Sequence, residues 1–308
     1  PAHTAPTDLR TRMNTPHDIS EFAIVPDPDD ERLSRAVTGI DQTGAPTDTH
    51  VVHERPLTIY LNAQEIVTSM TIGDHPDWLA VGYLLNQGML QHDDEITGID
   101  YDDDLEVIVV RTVRETDFEE KMKKKTRTSG CAQGTVFGDM MENFETIELS
   151  QDARIKTSWL YALTKKINTA PSLYLKAGAI HGCVLCKGDT PLVYLEDVGR
   201  HNAVDKIAGW MFLNKVSPDD KLFYTTGRLT SEMILKCAAM RIPILVSRSG
   251  FTAWGVDLAR QVGMTVIGRA RGKRFLALSG AERIEFDADL SQIEDEDRKH
   301  RRKGASRE

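Results

Sequence analysis

The chain has 308 residues, enough for one large domain or two of ordinary size. Its composition, 40% hydrophobic and 28% charged, is typical of a soluble globular protein with a sizeable core. The net charge of −9 is opposite in sign to that of an extended nucleic-acid surface, so we expect no nucleic-acid partner. No run approaches the ~18 apolar residues of a membrane helix, and the N-terminus shows no hydrophobic signal stretch. We therefore predict a cytoplasmic protein with no membrane partner.

The first half of the chain predicts a small α+β domain, residues 21–114, after a disordered N-terminus at residues 1–20. Its expected elements are two strands forming a hairpin, a helix and a further strand: residues 51–61, 65–70, 74–88 and 105–110. Asp74 is the expected N-cap of the helix, and Pro76 is expected in its first turn.

A polar stretch at residues 115–150 is too long for a routine connection and predicts a mobile functional loop. Five cations occur in the seven residues 121–127, just before Cys131. Cations favour a thiolate, and glycines at 130 and 134 give the loop freedom, so Cys131 is the candidate nucleophile. An inert exposed cysteine is the alternative.

The second half, residues 151–290, predicts a three-layer α/β domain with a largely parallel sheet. A helix at residues 153–168 comes first. The expected strands are residues 179–186, 191–195, 221–225, 244–247, 264–267 and 275–278. Helices are expected to start near Asn202, Thr230 and Thr252. The charged residues 291–308 indicate a solvated tail.

The other three cysteines are predicted to be structural. Cys183 and Cys186 fall in one expected strand, where residues three apart point to opposite faces, so they cannot both bind one zinc ion without a bend. Cys237 lies in an apolar helical pattern. We therefore predict no metal site.

Ligands of open α/β sheets bind at the carboxyl ends of the strands, and two loops there share one composition. Each combines glycine, hydroxyl groups and one arginine at a helix N-terminus, an arrangement that attracts phosphate. The candidate ligand-binding residues in these loops are Gly227, Arg228, Ser231, Ser247 and Arg248. Simple helix capping by Thr230 and Ser247 is the alternative.

Two further stretches extend this candidate site. A basic run follows the next strand and consists of Arg269, Ala270, Arg271, Gly272, Lys273 and Arg274. A polar strand–helix junction holds Asp197, Arg200, His201 and Asn202. Several anion-binding loops on one sheet edge favour a ligand with more than one phosphate. A capping network centred on Asn202 is the alternative for the junction.

Five motifs resemble the FdhD family of formate dehydrogenase accessory sulfurtransferases, and the resemblance spans residues 51–278. The motifs are residues 129–131, 196–206, 226–233, 242–247 and 268–275. The resemblance implies a C-terminal domain like the cytidine-deaminase fold, a homodimer, and GDP or a related guanine nucleotide as ligand.

The resemblance also implies a function. Family members carry persulfide sulfur from a cysteine desulfurase to the molybdenum bis(guanine dinucleotide) cofactor, which then enters the formate dehydrogenase catalytic subunit. Cys131 would hold the persulfide, and the run from Arg269 to Arg274 would contact the cofactor. Many members have Cys-x-x-Cys in the loop, whereas this chain has Gly134 in the second position.

Two other functions remain open from the sequence. Gly134 favours a chaperone that delivers the cofactor without sulfur transfer. A nucleotide-hydrolysing or deaminating enzyme is a third interpretation. Deaminase chemistry needs His-x-Glu before Pro-Cys-x-x-Cys, and the residues after His181 do not match it.

Overall fold

The computed structural model describes residues 24–114, 141 and 144–289. The predicted N-terminus (1–20), the charged tail (291–308) and most of the predicted loop (115–150) lie outside these residues. Within them, the chain forms a four-stranded sheet, a six-stranded sheet and two two-stranded sheets. No helix in the described ranges combines the length and apolar character needed to cross a membrane.

The N-terminal half forms a hairpin and a four-stranded sheet covered by one helix. Its elements are β1 (Ser34–Ile40), β2 (Pro46–Val52), β3 (Arg55–Leu61), β4 (Gln64–Thr71), α1 (Pro76–Asn86), β5 (Ile96–Asp102) and β6 (Val107–Thr112). The sheet order is β4-β3-β6-β5, with β3 and β6 parallel. Leu79 and Leu84 of α1 pack with Ile59 and Ile108 in the core of this half.

The predicted hairpin and helix are present, but the predicted Asp74 cap is wrong. His75 is the N-cap, with a left-handed φ of 46°, and its ring stacks on Trp78 with 3.9 Å between centroids. The Asp74 carboxylate instead pairs with the Lys206 ammonium group. The Asp74 carboxylate, which the local pattern predicts to cap the helix, therefore pairs with a residue that is distant in the sequence.

The C-terminal half contains the remaining elements. They are β7 (Ile155–Lys156), α2 (Thr157–Thr169), α3 (Leu173–Ala177), β8 (His181–Lys187), β9 (Thr190–Asp197), α4 (Arg200–Leu213), β10 (Lys221–Thr225), α5 (Ser231–Ala239), β11 (Ile244–Ser247), α6 (Ala253–Gln261), β12 (Thr265–Arg271), β13 (Arg274–Ser279) and β14 (Ile284–Glu285). The order of the large sheet is β13-β12-β11-β10-β8-β9.

The large sheet is mixed, so the prediction of a largely parallel sheet is wrong. Only β10, β11 and β12 run parallel to one another. β8 is antiparallel to both β9 and β10, and β13 is antiparallel to β12. A tight turn with Gly188 at φ 58° joins β8 to β9, and such turns connect antiparallel strands. The start of β8 consequently lies beside the ends of β9 and β10.

Helices cover both faces of this sheet, which confirms the predicted three layers. Residues of α4, α5 and α6 pack with Cys183 and Phe223 on one face. Residues of α2 pack with Cys186 and Tyr224 on the other. The predicted opposite orientation of the two strand cysteines is confirmed, and Cys237 lies in the core as predicted.

The two halves meet where α1 crosses α4. A Cβ on Gly82 would lie 1.7 Å from the Asp205 carbonyl oxygen, and one on Gly209 would lie 2.0 Å from that of Trp78. The two helix backbones are therefore in direct contact. A buried ion pair and a buried hydrogen bond flank the crossing: Lys236 Nζ lies 2.6 Å from Asp205 Oδ2, and Asn86 donates to Asp205 Oδ1 at 2.7 Å.

Candidate functional site

Five strand ends of the large sheet meet at one edge, which we call the strand-end edge. It is formed by the carboxyl ends of β9, β10, β11 and β12 and the beginning of β8. The pairing of His181 with Asp197, and of Cys183 with Thr225, fixes this arrangement. The edge collects the loops that the sequence predicts to bind anions.

The loops after β10 and β11 are hydrogen-bonded to each other. Leu229 N donates to Gly250 O at 2.9 Å, and Thr252 N donates to Leu229 O at 3.0 Å. The buried Ser247 hydroxyl donates to Gly227 O at 2.6 Å. Ser247 therefore fixes one loop to the other, and its hydroxyl hydrogen is already used within the protein.

Three arginines of the predicted site lie near one another at the strand-end edge, Arg248 on the loop after β11 and Arg269 and Arg271 at the end of β12. The Arg248 guanidinium lies 5.2 Å from the centre of the Tyr174 ring, and its Nη2 is 3.4 Å from the phenol oxygen. Arg271 Nε donates to Arg248 O at 3.3 Å, and Arg269 N donates to Ser249 O at 2.7 Å. Arg269 holds a left-handed φ of 54°, at an irregularity in the register between β12 and β13.

The rest of the predicted basic run is directed elsewhere. Lys273 and Arg274 line a separate cavity of about 400 Å³, together with Tyr161 and Phe286. Ala270 is buried in the core on the α2 face, and Gly272 forms the β12–β13 turn with φ 57°. Only Arg269 and Arg271 of this run therefore belong to the strand-end edge.

The junction residues divide in the same way: Arg200 lies at the strand-end edge, as does Arg228 of the loop after β10. A Cβ on Gly227 would lie 3.1 Å from Arg200 Cδ, so this arginine packs directly on the loop after β10. Burial and then the charges of Arg200 and Arg228 lower the pKa of His181. Arg228 is exposed to solvent.

His201 is held neutral beside the start of α5. Its Nε2 lies 3.1 Å from Glu232 Oε2, while Nδ1 has no hydrogen-bond partner among the described residues. Burial lowers the pKa of the imidazole to about 2, with Lys236 and Arg200 adding to the effect. Ser231 opens α5, and the preceding Thr230 makes no side-chain cap bond, contrary to the capping alternative.

Asp197 and Asn202 join the four-stranded sheet to the six-stranded sheet. The fully buried Asp197 carboxylate accepts from Thr71 Oγ1 at 2.6 Å and from Asn202 Nδ2 at 3.0 Å. The Asn202 amide also donates to Met70 O at 2.7 Å and accepts from Ser69 Oγ at 3.1 Å. These side chains are therefore occupied within the protein, and Asn202 does not cap its own helix.

The thiols of the described residues are unsuited to nucleophilic chemistry. Cys183, Cys186 and Cys237 are free and buried. Burial raises the thiol pKa of all three, that of Cys183 to about 12. Cys131 lies outside the described residues. In the described ranges, no cluster of three or more His, Cys, Asp or Glu side chains is arranged to hold a metal ion.

Sequence reasoning missed Tyr174 and the role of Glu196 at this edge. Tyr174 lies on the five-residue helix α3, which the periodicity did not predict. Glu196 belongs to a motif noted above, yet its contacts are made with backbone groups of residues 173 and 174. The only signal for Tyr174 in the sequence was its position as an isolated aromatic residue shortly before Gly178.

The fold and this edge define a mixed α/β protein with a cluster of arginines at the strand ends of its large sheet. Residues 52–285 match the model of the FdhD/NarQ family, so the chain belongs to that family. It is 30% identical over 235 residues to the sulfur carrier protein FdhD of Bacillus subtilis, covering 76% of this chain and 90% of the relative. It is 29% identical over 236 residues to the protein of the same name from Bacillus pumilus, with the same coverage of each chain.

A solved structure supports the same relationship. It is assigned as a formate dehydrogenase accessory protein from Desulfotalea psychrophila and superposes with a TM-score of 0.66 at 29% identity. The match covers 82% of this chain and 100% of that one. The predicted family membership and the α/β fold are thus confirmed.

Proposed function

We propose that this chain is a sulfur carrier for the maturation of formate dehydrogenase, with Cys131 as the carrying residue. The observation that carries the proposal is the state of the other cysteines. Of the four cysteines in the chain, three are buried, with thiol pKa values raised by burial. A thiolate that must reach a partner protein cannot be formed at such positions. The names of the relatives agree with this function.

Sulfur arrives by thiol–persulfide exchange. The Cys131 thiolate attacks the outer sulfur of a persulfide on a cysteine desulfurase, a new S–S bond forms on Cys131, and the desulfurase cysteine leaves as a thiolate. No net oxidation occurs in this step. A lone cysteine is sufficient, so the glycine at position 134 is compatible with the transfer.

The receiving substrate is the molybdenum bis(guanine dinucleotide) cofactor. The outer sulfur passes to the metal, Cys131 leaves as a thiolate, and the metal supplies the two electrons that reduce the transferred sulfur to sulfide. The phosphates of this cargo, or of GDP, bind at the strand-end edge through Arg248, Arg269 and Arg271. Guanidinium groups form paired charge-assisted hydrogen bonds with phosphate oxygens, which supports this assignment.

The sulfur-carrying role is tested with Cys131→Ser. The serine keeps the side-chain size and removes the sulfur, so formate dehydrogenase matured with this variant should contain the cofactor and be inactive. The measurement is formate oxidation together with cofactor content. Mass spectrometry should find one extra sulfur on Cys131 in the wild-type protein.

Cys183→Ala and Cys186→Ala serve as controls for the loss of a thiol, and both should give active dehydrogenase. Full dehydrogenase activity with Cys131→Ser would exclude the sulfur relay. The cofactor chaperone would then be the function that agrees with the structure.

The ligand assignment is tested by titrating GDP into the Arg269→Ala, Arg271→Ala double variant. Losing two charge-assisted hydrogen bonds should weaken binding by at least about tenfold. Lys187→Ala is the matched control, because Lys187 is a cation at the opposite end of β8. Unchanged affinity in the double variant would contradict this placement of the phosphate site.

A further inference from the structure

A buried carboxylate holds the beginning of α3. Glu196 Oε2 accepts from Leu173 N at 2.7 Å, and its Oε1 accepts from Tyr174 N at 3.1 Å. Ser172 Oγ accepts the next backbone donor, Leu175 N, at 3.3 Å. The first three backbone N–H groups of the helix are thus satisfied by side chains, two of them by one residue of β9. A five-residue helix has little stability of its own, so this attachment fixes its position.

The same short helix delivers Tyr174 to the strand-end edge. The Tyr174 ring lies under the Arg248 guanidinium at 5.2 Å, and the Tyr174 N–H is one of the two groups that Glu196 holds. Arg248 in turn is linked to Arg271 through its carbonyl oxygen. A continuous series of contacts therefore runs from the buried carboxylate to the arginines.

We infer that Glu196 is a positioning residue of the anion site: it fixes Tyr174, and Tyr174 orients the Arg248 guanidinium toward the phosphate. The inference rests on the proposed function, because it assumes that Arg248 binds the ligand. An unrestrained arginine side chain loses conformational entropy when it binds a ligand. A guanidinium group that is already held in position avoids much of that loss.

The carboxylate form is the one suited to this role, since both of its oxygens accept a hydrogen bond. A protonated carboxyl group offers one oxygen less for the two N–H donors. Burial raises the pKa of Glu196 to about 7, although the N–H groups of Leu173 and Tyr174 oppose the shift. The other groups around it are the Tyr194 phenol, Asp74, and Lys206, which donates to the Glu196 carbonyl oxygen. The advantage of wild type over a non-titrating variant should therefore shrink as pH falls through this value.

The test is a double-mutant cycle with GDP as the probe, using wild type, Glu196→Gln, Arg248→Ala and the double variant. Arg248→Ala should weaken binding by about tenfold, and Glu196→Gln by a smaller factor of about three to ten. Because Glu196 acts through Arg248, the double variant should bind no more weakly than Arg248→Ala alone. Glu282→Gln, which removes an exposed carboxylate, is the matched control and should bind as wild type does.

A second measurement separates this inference from the proposed function. Amide exchange at Leu173 and Tyr174 should be faster in Glu196→Gln, with or without nucleotide. Faster exchange with unchanged GDP affinity, or additive losses in the cycle, would overturn the inference alone. Absence of GDP binding by the wild-type protein would contradict the guanine-nucleotide ligand of the proposed function, on which this inference rests.

If Glu196→Gln does not fold, Tyr174→Ala replaces it in the cycle. This variant leaves the carboxylate in place and removes the ring beneath Arg248. It should weaken GDP binding in wild type and have no further effect in Arg248→Ala. A loss of equal size in both backgrounds would overturn the inference.

Discussion

His201 shows how one buried side chain at the strand-end edge ties stability to pH. Its imidazole lies against Glu232 and close to the positive charges of Lys236 and Arg200. Burial and these charges lower its pKa to about 2, so the folded protein keeps the ring neutral over the whole physiological range. Nε2 then carries the proton shared with Glu232, and Nδ1 is an acceptor.

We predict that this histidine makes the protein less stable in mild acid. Below its ordinary pKa of ~6.5 the unfolded chain binds a proton on His201 that the folded chain does not bind, so the free energy of unfolding falls as pH decreases. The loss attributable to this one group approaches about 1.4 kcal/mol per pH unit. His201→Gln keeps a hydrogen-bond donor for Glu232 and does not titrate. The free energy of unfolding of this variant should therefore decline less than that of wild type as pH decreases.

Urea denaturation of both proteins between about pH 7 and pH 5 measures the difference. Other titrating groups contribute to both curves and largely cancel. Equal slopes for the two proteins would contradict the neutral, buried imidazole.

At the scale of elements, the crossing of α1 and α4 depends on two glycines. Gly82 and Gly209 allow the helix backbones to touch, and no side chain could be accommodated at either position without separating the helices. Glycine inside a helix is unfavourable by about 1 kcal/mol relative to alanine. The close contact of the two helices, with the buried ion pairs of Asp205 and Lys206 beside it, offsets that loss.

We predict that Gly209→Ala destabilises the protein by about 3 kcal/mol, despite the better helix propensity of alanine. The added Cβ would lie 2.0 Å from the Trp78 carbonyl oxygen, so the crossing must open. Gly98→Ala is the matched control. Its Cβ would meet nothing within 4 Å, and its stability should stay close to that of wild type. Chemical denaturation gives both values, and a neutral Gly209→Ala would refute the close crossing.

For the molecule as a whole, the sequence predicted local elements well where a local pattern determined them. The strands at 221–225 and 244–247 have the predicted bounds, because each is a short apolar run between polar turns. The polar strands β1 and β2 were not predicted, since their side chains are mostly exposed and carry little hydrophobic alternation.

What could not be predicted depends on contacts between distant residues. Strand direction in the large sheet is set by how β8 pairs with β10, and no local pattern encodes that pairing. Asp197 and Asn202 were grouped with the candidate site by composition, yet their partners Thr71 and Met70 lie more than a hundred residues earlier. The same composition serves for a ligand site and for a buried polar interface, so only the fold distinguishes them.

The hydrogen bonds between the loops after β10 and β11 have a thermodynamic consequence. Since Leu229, Gly250 and Thr252 are already paired with one another, this part of the edge is ordered when the chain folds. An anion that binds there does not have to select one loop conformation from many, and the conformational entropy of these loops changes little on binding. The costs that remain for binding at this edge should then include the loss of water bound to the anion and to the guanidinium groups.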